Sequence, residues 1–331
     1  MESKMNTRAP LRAPFTVCIW LTDYCNLACK YCYAMPFSGK KIETRRLLEV
    51  LDEFAEMGVF NLTFAGGEPM LHPDILEIIS HSISNGQQVA ILTNGTTLNE
   101  KLCDELEEIV KDKNFILQIS LDSTDPAIND ISRGKTQNVV HNLRNLRNRQ
   151  IEVQLSCVIH KLNVEKAHLI IEEFYPDIKR FHFLNIQRTN QSLKYPELLL
   201  SEGEAFQFWT NLNEYSQQFP PDLFLPSLRV QMRSRGVAYI EPEFNLNNDA
   251  SFQCSSCSAG HTNINLNSDF DVLGCDIAKD FTKMGNVRRR TFFEVWHSEE
   301  ANAVRNAAIP ACYNISSPSG KKLTDWLKAK N

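Results

Sequence analysis

Cys25, Cys29 and Cys32 form the run C-x3-C-x2-C directly after the apolar stretch from Phe15 to Leu21. Three thiolates this close can hold three corners of a 4Fe–4S cube and leave one iron without a protein ligand. Zinc is the main competing metal, but a structural zinc site wants four ligands, and no further Cys or His lies close behind Cys32. A second set comprises Cys254-x2-Cys257, then Cys275 after seventeen intervening residues, then Cys312. On spacing alone this second set reads as a zinc ribbon. Between the two sets lies Gly66-Gly67-Glu68-Pro69. Its glycines let backbone approach a ligand closely, and Glu68 offers an acceptor for an ammonium group. Thr93-Asn94-Gly95 and Ser120-Leu121-Asp122 end later strand-like runs, where Asn, Ser and Asp can bond hydroxyls or a carboxylate. Asn-Gly is also a plain turn signal.

These residues need a scaffold that brings strand ends together, and the chain reads as one. Residues 15–190 alternate strand-like and helix-like segments, the pattern of a parallel α/β sheet. Strands are expected at 16–22, 60–65, 87–92, 115–121, 151–159 and 180–186. Leu47, Leu48, Leu51, Phe54 and Ala55 recur at helical spacing before Gly58, and Leu102, Leu106, Ile109 and Val110 do so after Asn99, a plausible cap. Six such units suit a partial (β/α)6 TIM-like barrel, open on one side, with its chemistry at the C-terminal ends of the strands. Ser201 to Glu204 matches a capping box. It opens a helix carrying Ala205, Phe206, Trp209, Leu212 and Tyr215 on one face. Short strands are expected near 262–267 and 270–273, and a helix over 291–304. The domain reading is a core over 14–190, a bridging helical segment over 191–250, a small α+β cysteine-rich domain over 251–315 and a flexible tail over 316–331.

Composition bounds the rest. The 331 residues carry a net charge of −5 with 43% hydrophobic content, which argues against a nucleic-acid scaffold. No apolar run nears the roughly 18 residues of a membrane span. Lys4, Arg8 and Arg12 precede the first strand without the apolar core of a signal peptide. Ten cysteines without an export signal point to metal ligation in a reducing compartment, by default the cytoplasm. Cys18, Cys103 and Cys157 read as small buried hydrophobes.

The cysteine run followed by GGEP, TNG and SLD resembles the radical SAM superfamily, in the branch that carries a C-terminal SPASM or twitch domain. The resemblance implies that Cys25, Cys29 and Cys32 hold a 4Fe–4S cluster whose open iron is chelated by S-adenosylmethionine (SAM). Gly66, Gly67, Glu68 and Pro69 would meet the amino group of SAM, Tyr31 would border adenine, and Asn94, Ser120, Asp122 and Arg133 would meet ribose and carboxylate. Reductive cleavage of SAM would give a 5′-deoxyadenosyl radical that takes hydrogen from the substrate. The stretch from Cys254 through Gly274-Cys275 to Met284-Gly285-Asn286-Val287 and Phe292–Trp296 resembles the twitch/SPASM module. That implies an auxiliary 4Fe–4S cluster. The downstream C-x2-C-x5-C run of full SPASM domains is absent, so one auxiliary cluster is expected, on Cys254, Cys257, Cys275 and Cys312. The C-x2-C…C trio is also similar to that of the molybdenum-cofactor GTP cyclase, whose open auxiliary iron binds substrate. Cys312 could instead donate a hydrogen atom, with Cys157 as a lesser candidate.

The resemblance leaves the substrate open between a ribosomally made peptide (crosslink, oxidation or epimerisation) and a small molecule of aminoglycoside or nucleotide type. Only about fourteen residues precede the first strand, too few for the N-terminal peptide-recognition domain of some such maturases, which weakens the peptide reading or implies a separate recognition protein. A flavodoxin or ferredoxin is the expected electron donor; no nucleic acid or membrane partner is expected. A non-catalytic iron–sulfur or zinc protein is the reading from another class, against which the intact GGEP argues.

Overall fold

The computed structural model describes residues 11–35, 37–186, 189, 191–225, 260–276, 279 and 282–307. The chain divides into two compact units, one of residues 1–24, 38–89 and 251–331, the other of residues 25–37 and 90–250.

In the first unit, β1 (Thr16–Thr22) pairs in parallel with β2 (Asn61–Gly66) on one side and β7 (Asn263–Leu266) on the other. Antiparallel β8 (Asp271–Leu273) and β9 (Lys283–Asn286) follow β7. Strand alternation puts Val17, Ile19 and Leu21 on one face with Leu62, Phe64, Ile264 and Leu266, all buried. Helix α1 (Thr44–Met57) buries Leu47, Val50, Leu51 and Phe54, and ends at Gly58 with φ +91°, as its sequence signals. Helix α2 (Ile75–Ser84) follows β2. The expected terminal helix is two helices, α8 (Phe292–Trp296) and α9 (Glu299–Ala307). The break falls at Ser298, whose hydroxyl takes the N–H of Ala301 and so starts a new helix. Strand β9 was not expected, because Met284-Gly285-Asn286 has little strand propensity. The C-terminal stretch is tied to α1: Arg46 donates to the carbonyls of Val287 (2.9 and 2.8 Å) and Arg290 (3.1 Å), and Phe54 meets Phe292 edge-on at 4.6 Å.

In the second unit, β4 (Phe115–Ser120), β5 (Val153–Ile159) and β6 (Arg180–Asn185) are parallel, with Ser120 opposite Ser156 and Ser156 opposite His182. Strand β3 (Gln88–Thr93) carries the chain from the first unit into the second. The helices are α3 (Glu100–Val110), α4 (Pro126–Ser132), α5 (Thr136–Asn145), α6 (Leu169–Phe174) and α7 (Glu202–Ser216). Asn99 caps α3, and the Ser201–Glu204 capping box is formed. On α7 the buried stripe is Phe208, Trp209 and Leu212, whereas Phe206, expected on it, is exposed. A residue three before Trp209 and six before Leu212 sits off the centre of a stripe that Phe208 fills. The mostly parallel α/β class expected from the sequence holds. The expected bridging segment is described only to residue 225, and the tail over 316–331 lies outside the described residues.

Gly66 ends β2 at a bulge in β1 with φ +121°, and a Cβ there would stand 2.4 Å from the Thr22 carbonyl oxygen. Gly66→Ala is expected to destabilise the iron-free chain by about 1–3 kcal/mol, the cost of a strained backbone position. An unchanged melting temperature would contradict this reading of the turn.

Candidate active site

The three cysteines of the first run lie in a loop with little regular structure, so their spacing has to be held by side chains. The loop makes its own turn where Cys32 N–H donates to the Cys29 carbonyl at 3.1 Å, and Leu27 N–H points at Cys25 Sγ at 3.4 Å. All three thiols are half-buried. Burial pushes the Cys29 thiol up to about 11, against the pull of the Arg133 guanidinium; negative charge at Cys32, Asp122 and Cys25 adds to the rise. Burial likewise raises Cys32. Cys29 thus feels both partner thiols, as convergence on a common space requires. Among the described residues, no three Cys, His, Asp or Glu side chains close to the spacing of a single metal ion. A cubane cluster takes wider thiol spacing than one zinc with ligands at about 2.3 Å.

Side chains from two βα loops of the same unit grip this loop. At the Cys25 end, Asn94 Nδ2 donates to Asn26 Oδ1 (2.8 Å) and points at Cys25 Sγ (3.7 Å). Its Oδ1 accepts from the N–H and hydroxyl of Thr96 (2.9 and 2.7 Å), and Asn26 Nδ2 donates to the same hydroxyl at 2.8 Å. Gly95 allows this turn: its φ is +75°, and a Cβ would lie 2.8 Å from Ile119 Cγ2. At the Cys32 end, the Tyr31 hydroxyl donates to Asp122 Oδ2, and Arg133 Nη1 donates to the Tyr31 oxygen at 2.8 Å. Lys30 N–H donates to the Ser132 carbonyl at 3.0 Å. Burial raises the Tyr31 phenol well above its usual range. Burial works against ionisation of Asp122, but Arg133, His160 and Tyr31 outweigh it and hold the carboxyl below the usual range. Burial works against the charge of Arg133, but Tyr31, Cys29 and Asp122 around its guanidinium outweigh it and hold it well above its usual range.

The Gly66–Pro69 turn belongs to the first unit. Gly67 N–H donates to the Thr22 carbonyl (2.7 Å) and Glu68 N–H to the Tyr24 carbonyl (2.8 Å), one residue before Cys25 in the chain. Glu68 is buried, and its Oε1 accepts from Met70 N–H at 3.1 Å while Pro69 opens a single 3-10 turn.

Ser120 is half-buried at the end of β4. Asp122, expected to face SAM, is instead fully buried with its oxygens engaged by protein donors. Cys157 on β5 is likewise enclosed by protein. It is buried in line with Leu155 and Ile159, and its thiol donates to the Asp122 carbonyl at 3.5 Å. Burial holds that thiol protonated. Cys275 follows β8, its N–H donating to Thr282 Oγ1 at 3.0 Å. Cys254, Cys257 and Cys312 lie outside the described residues.

Sequence reasoning gave no role to His160 or Asn163, both buried just beyond β5. Asn163 Nδ2 donates to the Asp122 carbonyl at 3.0 Å. His160 Nδ1 accepts from Leu162 N–H at 3.2 Å, and its Nε2 lies 3.6 Å from Asp122 Oδ2. The available signal was a polar His-x2-Asn immediately after an apolar strand.

A thiol at about 11 is almost wholly protonated at neutral pH, and the thiolate grows with pH. Alkylation of Cys29 in the iron-free chain, followed by peptide mass spectrometry, is expected to accelerate about tenfold per pH unit from pH 8 to pH 10. Arg133→Met should move that profile to higher pH by removing the cation that favours the thiolate. A rate that levels off by pH 8 would contradict the assignment.

Residues 20–174 match the family model of the radical SAM superfamily, and residues 257–314 that of the SPASM iron–sulfur cluster-binding domain. The PqqA peptide cyclase of Xanthomonas oryzae pv. oryzae (strain MAFF 311018) is 25% identical over 97% of this chain and 83% of its own length. That of Xanthomonas campestris pv. campestris (strain 8004) is 26% identical over 88% of this chain and 75% of its own. In fold, the chain is similar to Streptococcus suis SuiB bound to precursor peptide SuiA, with a TM-score of 0.74 at 18% identity over 90% of this chain and 68% of that one. It is also similar to anSMEcpe with bound AdoMet, with a TM-score of 0.67 at 18% identity over 88% and 82%. Among the described residues no helix is long and apolar enough to cross a membrane. With Cys25, Cys29 and Cys32 inside one matched region and Cys257, Cys275 and Cys312 inside the other, the chain carries a radical SAM domain followed by a SPASM iron–sulfur cluster-binding domain, and is a SAM-dependent enzyme.

Proposed function

We propose that this enzyme modifies a ribosomally made peptide by hydrogen abstraction, ending in a crosslink, an oxidation or an epimerised centre. The observation that carries the reading is the alignment with the PqqA peptide cyclases over 97% of the chain, which spans both cysteine regions. When bound, the cluster and SAM together supply an electron and a 5′-deoxyadenosyl radical able to take hydrogen from an unactivated C–H bond.

The chain's own residues bind and orient. Cys25, Cys29 and Cys32 hold the first cluster, and the two side-chain grips keep their loop in place. Glu68 takes the SAM ammonium, with Gly66, Gly67 and Pro69 letting backbone come close. Ser120 and Asn94 take ribose hydroxyls, Arg133 takes the carboxylate, and Tyr31 borders adenine. Cys254, Cys257, Cys275 and Cys312 would hold one auxiliary 4Fe–4S cluster, which when bound would supply an electron acceptor or an anchor for the substrate. A crosslink or an oxidation needs no hydrogen donor from either thiol, whereas an epimerised centre needs one, for which Cys312 is the candidate and Cys157, buried against Asp122, the lesser one. A flavodoxin or ferredoxin reduces the first cluster, and a separate recognition protein presents the peptide. The functional domains are the core over 14–190, the bridging segment over 191–250 and the cluster domain over 251–315, ahead of the tail over 316–331.

The test incubates the reconstituted enzyme with SAM, a reductant and the product of a short open reading frame beside its gene. A peptide two hydrogens lighter, or of equal mass with one inverted centre, is expected together with 5′-deoxyadenosine. 5′-Deoxyadenosine formed with the peptide unchanged would shift the reading to a small-molecule substrate. Glu68→Ala should weaken SAM binding about 10- to 100-fold, the scale of one charge-assisted hydrogen bond; unchanged affinity would remove Glu68 from the SAM site. Cys275→Ala should lose product while retaining uncoupled SAM cleavage, and full product yield would contradict the auxiliary role.

A further inference from the structure

Asp122 stands where sequence pattern suggests a contact with SAM, yet it has no exposed surface. Its Oδ1 accepts from Val158 N–H at 3.1 Å and lies 3.8 Å from Arg133 Nη1. Its Oδ2 accepts from the Tyr31 hydroxyl and from Ser132 Oγ at 3.0 Å, with His160 Nε2 at 3.6 Å. The backbone of the residue is fixed as well. Its N–H donates to Asn129 Oδ1 at 2.9 Å, and its carbonyl accepts from Asn163 Nδ2 at 3.0 Å. A carboxylate offers about four lone-pair directions; three direct donors and one guanidinium leave no room for a ribose hydroxyl or an ammonium.

What Asp122 does hold is the cluster loop. Tyr31 lies between Cys29 and Cys32. Its hydroxyl is shared between Asp122 as acceptor and Arg133 as donor, and the Arg133 guanidinium also lies 5.9 Å from the ring centre. Ser132, which donates to Asp122, accepts at its carbonyl from Lys30 N–H. Two consecutive residues of the four from Cys29 to Cys32 are therefore fastened to the Asp122 cluster, in a loop without helix or ladder bonds of its own.

We infer that Asp122 is a positioning residue that fixes the Cys29–Cys32 segment in its cluster-binding conformation before SAM arrives, and is not a ligand of SAM. This rests on the reading that Cys25, Cys29 and Cys32 hold the first cluster. Cluster retention without SAM is then the property that Asp122 controls.

The test follows iron release to a ferrous chelator from the reconstituted full chain without SAM, in wild type, Asp122→Asn, Tyr31→Phe and the double variant. A Cys25/Cys29/Cys32→Ala background identifies which iron belongs to the auxiliary site. Asp122→Asn is expected to speed release from the loop cluster by about tenfold or more, the scale of one lost hydrogen bond to a charged group, and to leave auxiliary iron unaffected. Tyr31→Phe removes one hydroxyl without burying a new charge, and should give part of the same acceleration. The double variant should be no faster than Asp122→Asn, because both changes cut the same link. Should Asp122→Asn fail to fold, Tyr31→Phe decides. Loop iron as tightly held as in wild type, with SAM affinity weakened, would overturn the inference and make Asp122 a ligand. Equal acceleration at both sites would reduce it to general stability. A wild type with no loop iron at all would instead overturn the reading of the cysteine run.

Discussion

A loop that must offer three thiols to one cluster has no ladder of backbone bonds to space them. The spacing must come from outside the loop, and here it comes from strand ends of the second unit. Asn94 after β3 holds the Cys25 end through Asn26, and Asp122 after β4 holds the Cys32 end through Tyr31. Buried polar groups of this kind hold a geometry only when every member is satisfied. Asp122 meets that condition with Val158, Tyr31, Ser132 and Arg133 around it. Removing one partner of such a buried charge leaves an uncompensated ion, at a cost on the order of 3–5 kcal/mol.

The scaffold explains why those strand ends are available. Parallel strands bring successive βα loops to one edge of the sheet, so residues far apart in sequence become neighbours of one loop. The same logic runs in the first unit, where the Gly66 turn lets Gly67 and Glu68 bond back to Thr22 and Tyr24. There the C-terminal segment adds β7 to the free edge of β1 and is clamped to α1 by Arg46, and Cys275 follows β8, which pairs with β7.

Local chemistry was legible in the sequence and non-local chemistry was not. Strand runs, the Gly58 stop, the Asn99 cap and the Ser201–Glu204 box each depend on residues a few positions apart, and they form where the pattern puts them. The run of cysteines and the Gly66–Pro69 turn were legible for the same reason. The hub around Asp122 was not, because Tyr31, Ser132 and the pair Val158 and His160 meet it from three separate stretches of chain with no shared spacing. The direction of the Asp122 side chain, into protein and away from solvent, followed only from the packing of those stretches. Ser298 split a helix that apolar periodicity ran together, since a hydroxyl that caps one helix leaves no periodic signal. Phe206 and Phe208 exchanged places because two aromatics two apart can each complete a stripe on paper.

The central claim is that the chain presents an iron–sulfur cluster on three cysteines and a second one on the SPASM cysteines. Iron and sulfide per chain after anaerobic reconstitution, in wild type and in a Cys25/Cys29/Cys32→Ala variant, test it directly. The account predicts about eight iron atoms falling to about four, the count for two cubane clusters. About four falling to none would contradict the second cluster, and an unchanged count would contradict the first.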